Sequence, residues 1–205
     1  MKTVTYDQLK ALRASLGVPW FTKAWDINLV ILRSDSVGQW DDLVAAACLD
    51  DAGRQVVQCC VATGDASPQE WLNPTHEDGC VYVVDQHVQG GLELGLHRGR
   101  DALVQRREFR NVRWPRGMGM LPTPQELEEL SKVAGFEDFR GTNLHNRVNY
   151  SAPLEMKAYD GQGCTVTLYR HQHAALLELV RTQHEFLGSS VVSPTYTRWS
   201  VLEAL

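Results

Sequence analysis

Three apolar runs between residues 27 and 63 constrain the fold of this chain more than any other feature: INLVILR (27–33), LVAAACL (43–49) and RQVVQCCVAT (54–63). Each is short, rich in β-prone residues and bounded by turn formers, the pattern of strands rather than helices. Asp50-Asp51-Ala52-Gly53 between the second and third predicts a hairpin. Further runs at CVYVVD (80–85), LELGLH (92–97), ALVQ (102–105) and EFRNVRW (108–114) continue the sheet.

Helices belong at the periphery. Thr5-Tyr6-Asp7-Gln8 is a capping box, and the helix it opens ends at Gly17. Thr123, Pro124 and Glu126 occupy the N-cap, N1 and N3 positions of a second helix, stopped by Gly135. A third spans 171–187 and ends at Gly188. Residues 64–78 read as a loop anchored by Trp71. The expected fold is mainly β (α+β): a single sheet or sandwich domain over residues 1–205. It has an N-terminal helix (1–17), a β-rich core (20–187) with a helical insertion (123–134), and a docking tail (188–205).

A net charge of −5 argues against a general nucleic-acid binder. Seven arginines nevertheless fall between Arg98 and Arg116, either a solvated face or a contact for anionic substrate groups. No apolar run reaches membrane-spanning length, so no membrane insertion is expected. Five cysteines, with Cys59 and Cys60 adjacent, do not make a disulfide framework and fit a reducing compartment. The N-terminal stretch lacks the continuous apolar region of a signal peptide, so synthesis in the cytoplasm is expected. Oligomeric state is left open.

The chemistry concentrates near the third helix. His145 ends a short apolar–polar alternation, and Cys164 follows nineteen residues later, directly after Gly161-Gln162-Gly163 and at the start of the run CTVTLY. A thiol where a glycine-rich turn becomes a strand suits a nucleophile, because the backbone there can approach a substrate and present N–H groups to it. The base it needs is His145, giving a thiolate–imidazolium pair. N–H groups at Gly163 and Cys164 are the candidate oxyanion donors. Asn143 and Asp160 are candidates to orient the imidazole, and His97 is a candidate cleft residue.

This stretch resembles the H-G…(S/T)-x-G-C signature of L,D-transpeptidase catalytic domains (YkuD-like). It is closer to a group of mostly phage-associated and bacterial proteins whose pattern reads G-x-N-I-H…W-S-A-G-C-Q-V-F. Here the pattern is Gly141-Thr142-Asn143-Leu144-His145…Gly161-Gln162-Gly163-Cys164-Thr165-Val166, and the likeness extends over about residues 20 to 185. Asn146 replaces the usual glycine after the histidine, Gly161 the usual Ser/Thr, and Val166 the usual arginine; Arg170 is not in register with it. The resemblance implies acyl transfer or hydrolysis on peptidoglycan stem peptides, with no metal or organic cofactor. The protein would reach the cell wall by release or delivery, as a phage lysin or a delivered toxin would.

Two alternatives stay open. His171-Gln172-His173 is an H-x-H of the kind found in zinc peptidoglycan peptidases. The chain could also be a catalytically inactive wall-binding or structural phage protein on the same scaffold.

Overall fold

The computed structural model describes residues 3–133, 137–139, 141–147 and 163–205. The first helix, α1 (Tyr6–Ser15), carries its capping box as expected: the Thr5 hydroxyl accepts from the Gln8 N–H and the Gln8 side chain accepts from the Thr5 N–H. There follow β1 (Asn28–Arg33), β2 (Asp42–Leu49) and β3 (Gln55–Thr63), successive antiparallel neighbours, with the β2–β3 hairpin at the predicted turn. Next come a short helix α2 (Pro68–Leu72), then β4 (Cys80–Val83), β5 (Gln86–His87), β6 (Leu92–His97), β7 (Arg100–Gln105) and β8 (Phe109–Trp114). The chain continues through α3 (Pro124–Val133), β9 (Glu137–Phe139), β10 (Leu144–Asn146), β11 (Thr165–Thr167), α4 (Arg170–Leu187), β12 (Ser193–Arg198) and α5 (Trp199–Glu203).

The fold is mixed α+β, dominated by one large curled sheet. Nine strands run in the order β5-β12-β1-β2-β3-β11-β10-β7-β6, and β4-β8-β9 form a separate three-stranded sheet. The large sheet nearly closes on itself. Leu92 in β6 and Val192, just before β12, exchange backbone hydrogen bonds of 3.2 and 2.8 Å. Closure of this kind leaves little of either edge open to another chain.

Strand alternation sorts the side chains into two cores. Leu29, Ile31, Val44, Ala46, Cys60 and Ala62 point into the curl, where they meet Leu176, Leu177 and Val180 of α4. Val30, Leu32, Leu43, Ala45 and Ala47 point outward and are covered by Leu9 and Leu12 of α1 and Trp199 and Leu202 of α5. β1 and β2 are therefore buried on both faces, which is why their sequences run apolar without a break. Leu9 and Leu12 are fully buried, worth roughly 1.5–3 kcal/mol each.

Two expectations need correction. There are two sheets, not one: EFRNVRW pairs with β4 and β9, and its Val112 and Trp114 build a core of their own with Trp71, Tyr82 and Leu127. The segment 64–78 contains α2, capped by the Ser67 hydroxyl with Pro68 at its first turn. The helix at 124–133 packs on the smaller sheet, with Leu127 fully buried. The tail 188–205 supplies a strand and a short helix. Its β12 lies inside the large sheet, parallel to β1 with Asn28 opposite Ser193. Among the described residues, no helix is long and apolar enough to cross a membrane.

Candidate active site

The parallel pair β10–β11 builds the site. Leu144 lies opposite Thr165 and His145 opposite Val166, and the Thr165 N–H donates to the Asn143 carbonyl at 2.8 Å. Alternation then divides the residues cleanly. Leu144 enters the core, and the Thr165 hydroxyl meets that of Tyr196 at 3.1 Å. Asn143, His145, Cys164 and Val166 take the other face, where Trp40 packs against Cys164 and Val166. Gly163 delivers the thiol to this position at φ +131°, where an added Cβ would stand 3.2 Å from Val81 Cβ. Only glycine fits both the conformation and the space.

The imidazole of His145 is oriented by the main chain. Its Nδ1 lies 2.9 Å from the Asn146 carbonyl and so carries the proton, leaving Nε2 as the free base edge. That Nε2 is buried and makes no hydrogen bond among the described residues. The carbonyl that holds the ring is main chain and so does not depend on the side chain at 146. The Asn146 side chain turns instead to the Thr167 carbonyl and hydroxyl on β11. Asn143 does not orient His145, and Asp160 lies outside the described residues.

Asn143 holds a different ring. Its Oδ1 accepts from the Gln105 N–H at 2.9 Å, so its Nδ2 faces Nδ1 of His97 at 3.1 Å and the Gly141 carbonyl at 3.1 Å. Neutral His97 is thereby set with Nδ1 accepting and the proton on Nε2. His97 ends β6, and the two-residue turn Arg98-Gly99 that follows has φ +50° and +75°, the geometry of a type I′ hairpin. The Cys164 thiol donates to the Gly141 carbonyl at 3.1 Å. One nitrogen of His97, one of His145 and the sulfur of Cys164 all lie within 4.8 Å of one another.

Burial sets the protonation states. His145 is 5 % exposed, and this desolvation, reinforced by His97, His173 and Arg98, brings its pKa down to about 4 against the pull of the Asn146 carbonyl. Burial likewise pushes the Cys164 thiol up, opposed by the Asn143 N–H groups and the Arg98 charge. The resting pair is neutral thiol and neutral imidazole, not the expected ion pair, because desolvation penalises both charged forms. A thiol donating to a carbonyl is consistent with that state.

Two cavities flank the site. One of about 740 Å³ is lined by His97, Arg98, Arg100, His145, Arg170 and His173 among others. The second, about 500 Å³, is lined by Gln105, Arg106, Arg107, Glu108, Gly141 and Asn143. The Asn143–His97 hydrogen bond joins a residue lining one to a residue lining the other. The arginine-rich stretch is accordingly divided: Arg98 and Arg100 line the first cavity and Arg106 and Arg107 the second, while Arg110 and Arg113 sit on β8 of the other sheet.

The H-x-H does not form a chelating pair. On α4 the two residues diverge by about 200°. His171 is exposed, whereas His173 is buried with Nδ1 3.0 Å from the Thr167 hydroxyl. Cys59 and Cys60 face opposite sides of β3, and burial raises the pKa of Cys48, Cys59, Cys60 and Cys80 alike. Sequence reading missed Gln105 and Trp40. Neither of them carries a local signal, since each reaches the site through tertiary packing. Comparison with protein-family models, curated proteins and solved structures finds no match.

Proposed function

We propose that the curled sheet carries an L,D-transpeptidase-like site and that the chain is a cysteine enzyme acting on the stem peptides of peptidoglycan. The observation that supports this most is the placement of Cys164 and His145 on one face of β10–β11, with the imidazole fixed by the Asn146 carbonyl and its Nε2 buried and unengaged. A nucleophile beside an oriented base is the arrangement acyl transfer requires.

In this mechanism the thiol attacks the amide carbonyl carbon while His145 Nε2 takes the S–H proton. Charge separates only during attack, as befits a neutral resting pair. The imidazolium formed is held by the Asn146 carbonyl, and N–H groups at Gly163 and Cys164 face the oxyanion, worth about 3 kcal/mol per donor. Nε2 returns the proton to the leaving amine, giving a thioester. Water then completes hydrolysis, or an amine completes exchange. Neither route draws on a metal or organic cofactor. A protein made in the cytoplasm would meet this substrate after release or delivery.

A wall-binding protein without turnover is the second reading, favoured by the raised thiol pKa and by apolar Val166 packed on Trp40 where the resembling family has arginine. Incubating wild type and Cys164→Ala with isolated sacculi, followed by mass analysis of the muropeptides, separates the two. Altered stem peptides with wild type alone support the thiol mechanism, and the masses tell hydrolysis from exchange. Equal action by both proteins refutes it. Binding to sacculi without any product establishes the second reading.

A further inference from the structure

We infer that His173 is a positioning residue for the base: through the Thr167 hydroxyl it anchors Asn146, whose carbonyl holds the imidazole of His145. This rests on the role proposed for His145 above and adds a residue, from a different element, on which the reaction depends.

The hydrogen bonds run in series, with every donor pointing the same way. His145 Nδ1 donates to the Asn146 carbonyl at 2.9 Å. The Asn146 side-chain amide donates to the Thr167 carbonyl at 2.9 Å and to its hydroxyl at 3.1 Å. A carbonyl only accepts, so this amide has one permitted orientation. The Thr167 hydroxyl stands 3.0 Å from His173 Nδ1, and His173 Nε2 stands 3.3 Å from the Asp101 carbonyl. That carbonyl also only accepts, so neutral His173 carries its proton on Nε2 and takes the Thr167 hydrogen at Nδ1. Burial lowers the His173 pKa and keeps the ring neutral, against the pull of Asp101. The His145 carbonyl, 3.3 Å from the Thr167 hydroxyl, competes for its single hydrogen. Donation there would leave lone pairs of Thr167 and His173 opposed at 3.0 Å, so the hydrogen goes to His173.

Asn146 needs this support because the ladder around it is short. β10 is three residues long, and among the described residues it is in register with β7 at one pair, Leu144 opposite Leu103. At Asn146 the neighbouring strand is β11, through a parallel pair, the slightly weaker kind. Side-chain bonds therefore carry a large share of its placement.

The setting of His173 on α4 points the same way. Leu144 shares one face of β10 with Asn146 and packs in the core with Leu176, Leu177 and Val180 of α4. His173 precedes Leu176 and Leu177 by three and four residues and so lies on that same buried stripe. A leucine would pack there at no polar cost, whereas a buried imidazole is tolerated only with its nitrogens partnered. A polar group in such a place fixes one arrangement of its neighbours. Arg181, about two turns further along α4, also holds the Asp101 carboxylate at 2.8 Å, so the last acceptor in the series is tied to the same helix. The series thus crosses the sheet, from the base on one face to the helix on the other.

The test pairs NMR with turnover. Proton–nitrogen correlation spectra of protein with isotope-labelled histidine rings report the tautomer of each imidazole. His145→Gln and His173→Asn identify the two sets of signals. In wild type His145 is expected in the Nδ1–H form and His173 in the Nε2–H form; His173 in the Nδ1–H form overturns the proposal without any variant. Thr167→Val/His173→Leu removes both polar partners together, so neither is left buried and unpaired. Expected in this double variant are a mixture of His145 tautomers, a loss of about tenfold in rate on isolated sacculi, and unchanged binding to them. Thr167→Ser keeps the hydroxyl and His173→Asn keeps an acceptor, and each recovers most of the rate. Identical His145 signals in wild type and the double variant, or a full loss of rate in Thr167→Ser, overturn the proposal. If wild type leaves sacculi untouched while the His145 tautomers respond as expected, the catalytic reading fails and the positioning role stands. Sacculi processed by the double variant at the wild-type rate give the reverse.

Discussion

The imidazole of His97 stacks on that of His145, ring centres 4.6 Å apart and planes 20° from parallel. Stacked rings present their in-plane lone pairs side by side instead of towards a shared point. Asn143 also occupies Nδ1 of His97 with a donor, which leaves the proton on Nε2. The Cys164–His145–His97 trio thus has the donor types of a zinc site but not its convergence. Equilibrium dialysis against micromolar Zn²⁺ is expected to show no stoichiometric ion that disappears in Cys164→Ala. A tight one-to-one site lost in that variant would mean that the rings turn to accept a metal.

The same stack assigns His97 a positioning role, since its flat face limits how far the base can swing. His97→Phe preserves a face and His97→Ala removes it. The alanine variant should lose about tenfold in kcat with KM little changed, because misplacing a reacting group costs rate before affinity. The phenylalanine variant should recover most of that loss. Steady-state kinetics on a soluble stem peptide decide it, and equal losses in both variants would show that the His97 nitrogens matter more than its face.

A base whose pKa is brought down to about 4 stays competent well below neutrality. The rate needs neutral His145, so kcat/KM should be flat on the acid side between pH 8 and pH 5. A histidine with its ordinary pKa near 6.5 would lose about thirtyfold over that range. The pH–rate profile distinguishes them directly.

Acid should also weaken the fold through the same residue. Above pH 6.5 His145 is neutral both folded and unfolded. As the pH falls from 6.5 towards 4, the unfolded chain takes a proton that the folded one refuses, and stability is lost progressively. At pH 4.5 the loss from this residue is about 2–3 kcal/mol. Buried Asp42, whose pKa is raised by desolvation, works in the opposite direction and is present in any variant. Urea midpoints measured from pH 7.5 to 4.5 should therefore fall more steeply in wild type than in His145→Gln.

What the sequence disclosed follows from how local each feature is. The runs at 27–33 and 43–49 were readable because burial on both faces leaves them unbroken, and Thr5 with Gln8 signals a helix start within four residues. Alternation within Asn143-Leu144-His145 and Cys164-Thr165-Val166 likewise contains the common face of thiol and base. β12 was not readable as an inner strand, since Pro194 sits within it and proline normally marks an edge. Its place depends on pairing with β1, some 165 residues away. α2 carried a signal in Ser67-Pro68-Gln69-Glu70, outweighed by the loop-forming residues after it. The neutral resting state of the dyad depends on depth of burial, which no spacing of residues encodes.

The position of β12 bears on the order in which the molecule becomes whole. It is the last strand of the large sheet to be synthesised, yet it fills the slot between β1 and β5. Its Tyr196 supplies the hydroxyl met by Thr165, the immediate neighbour of Cys164. A nascent chain halted short of residue 198 holds Cys164 and His145 but lacks the strand between β1 and β5 and the Tyr196 hydroxyl that meets Thr165. The large sheet is thus completed only once the chain has emerged through residue 198, after every other strand in it is already available for pairing.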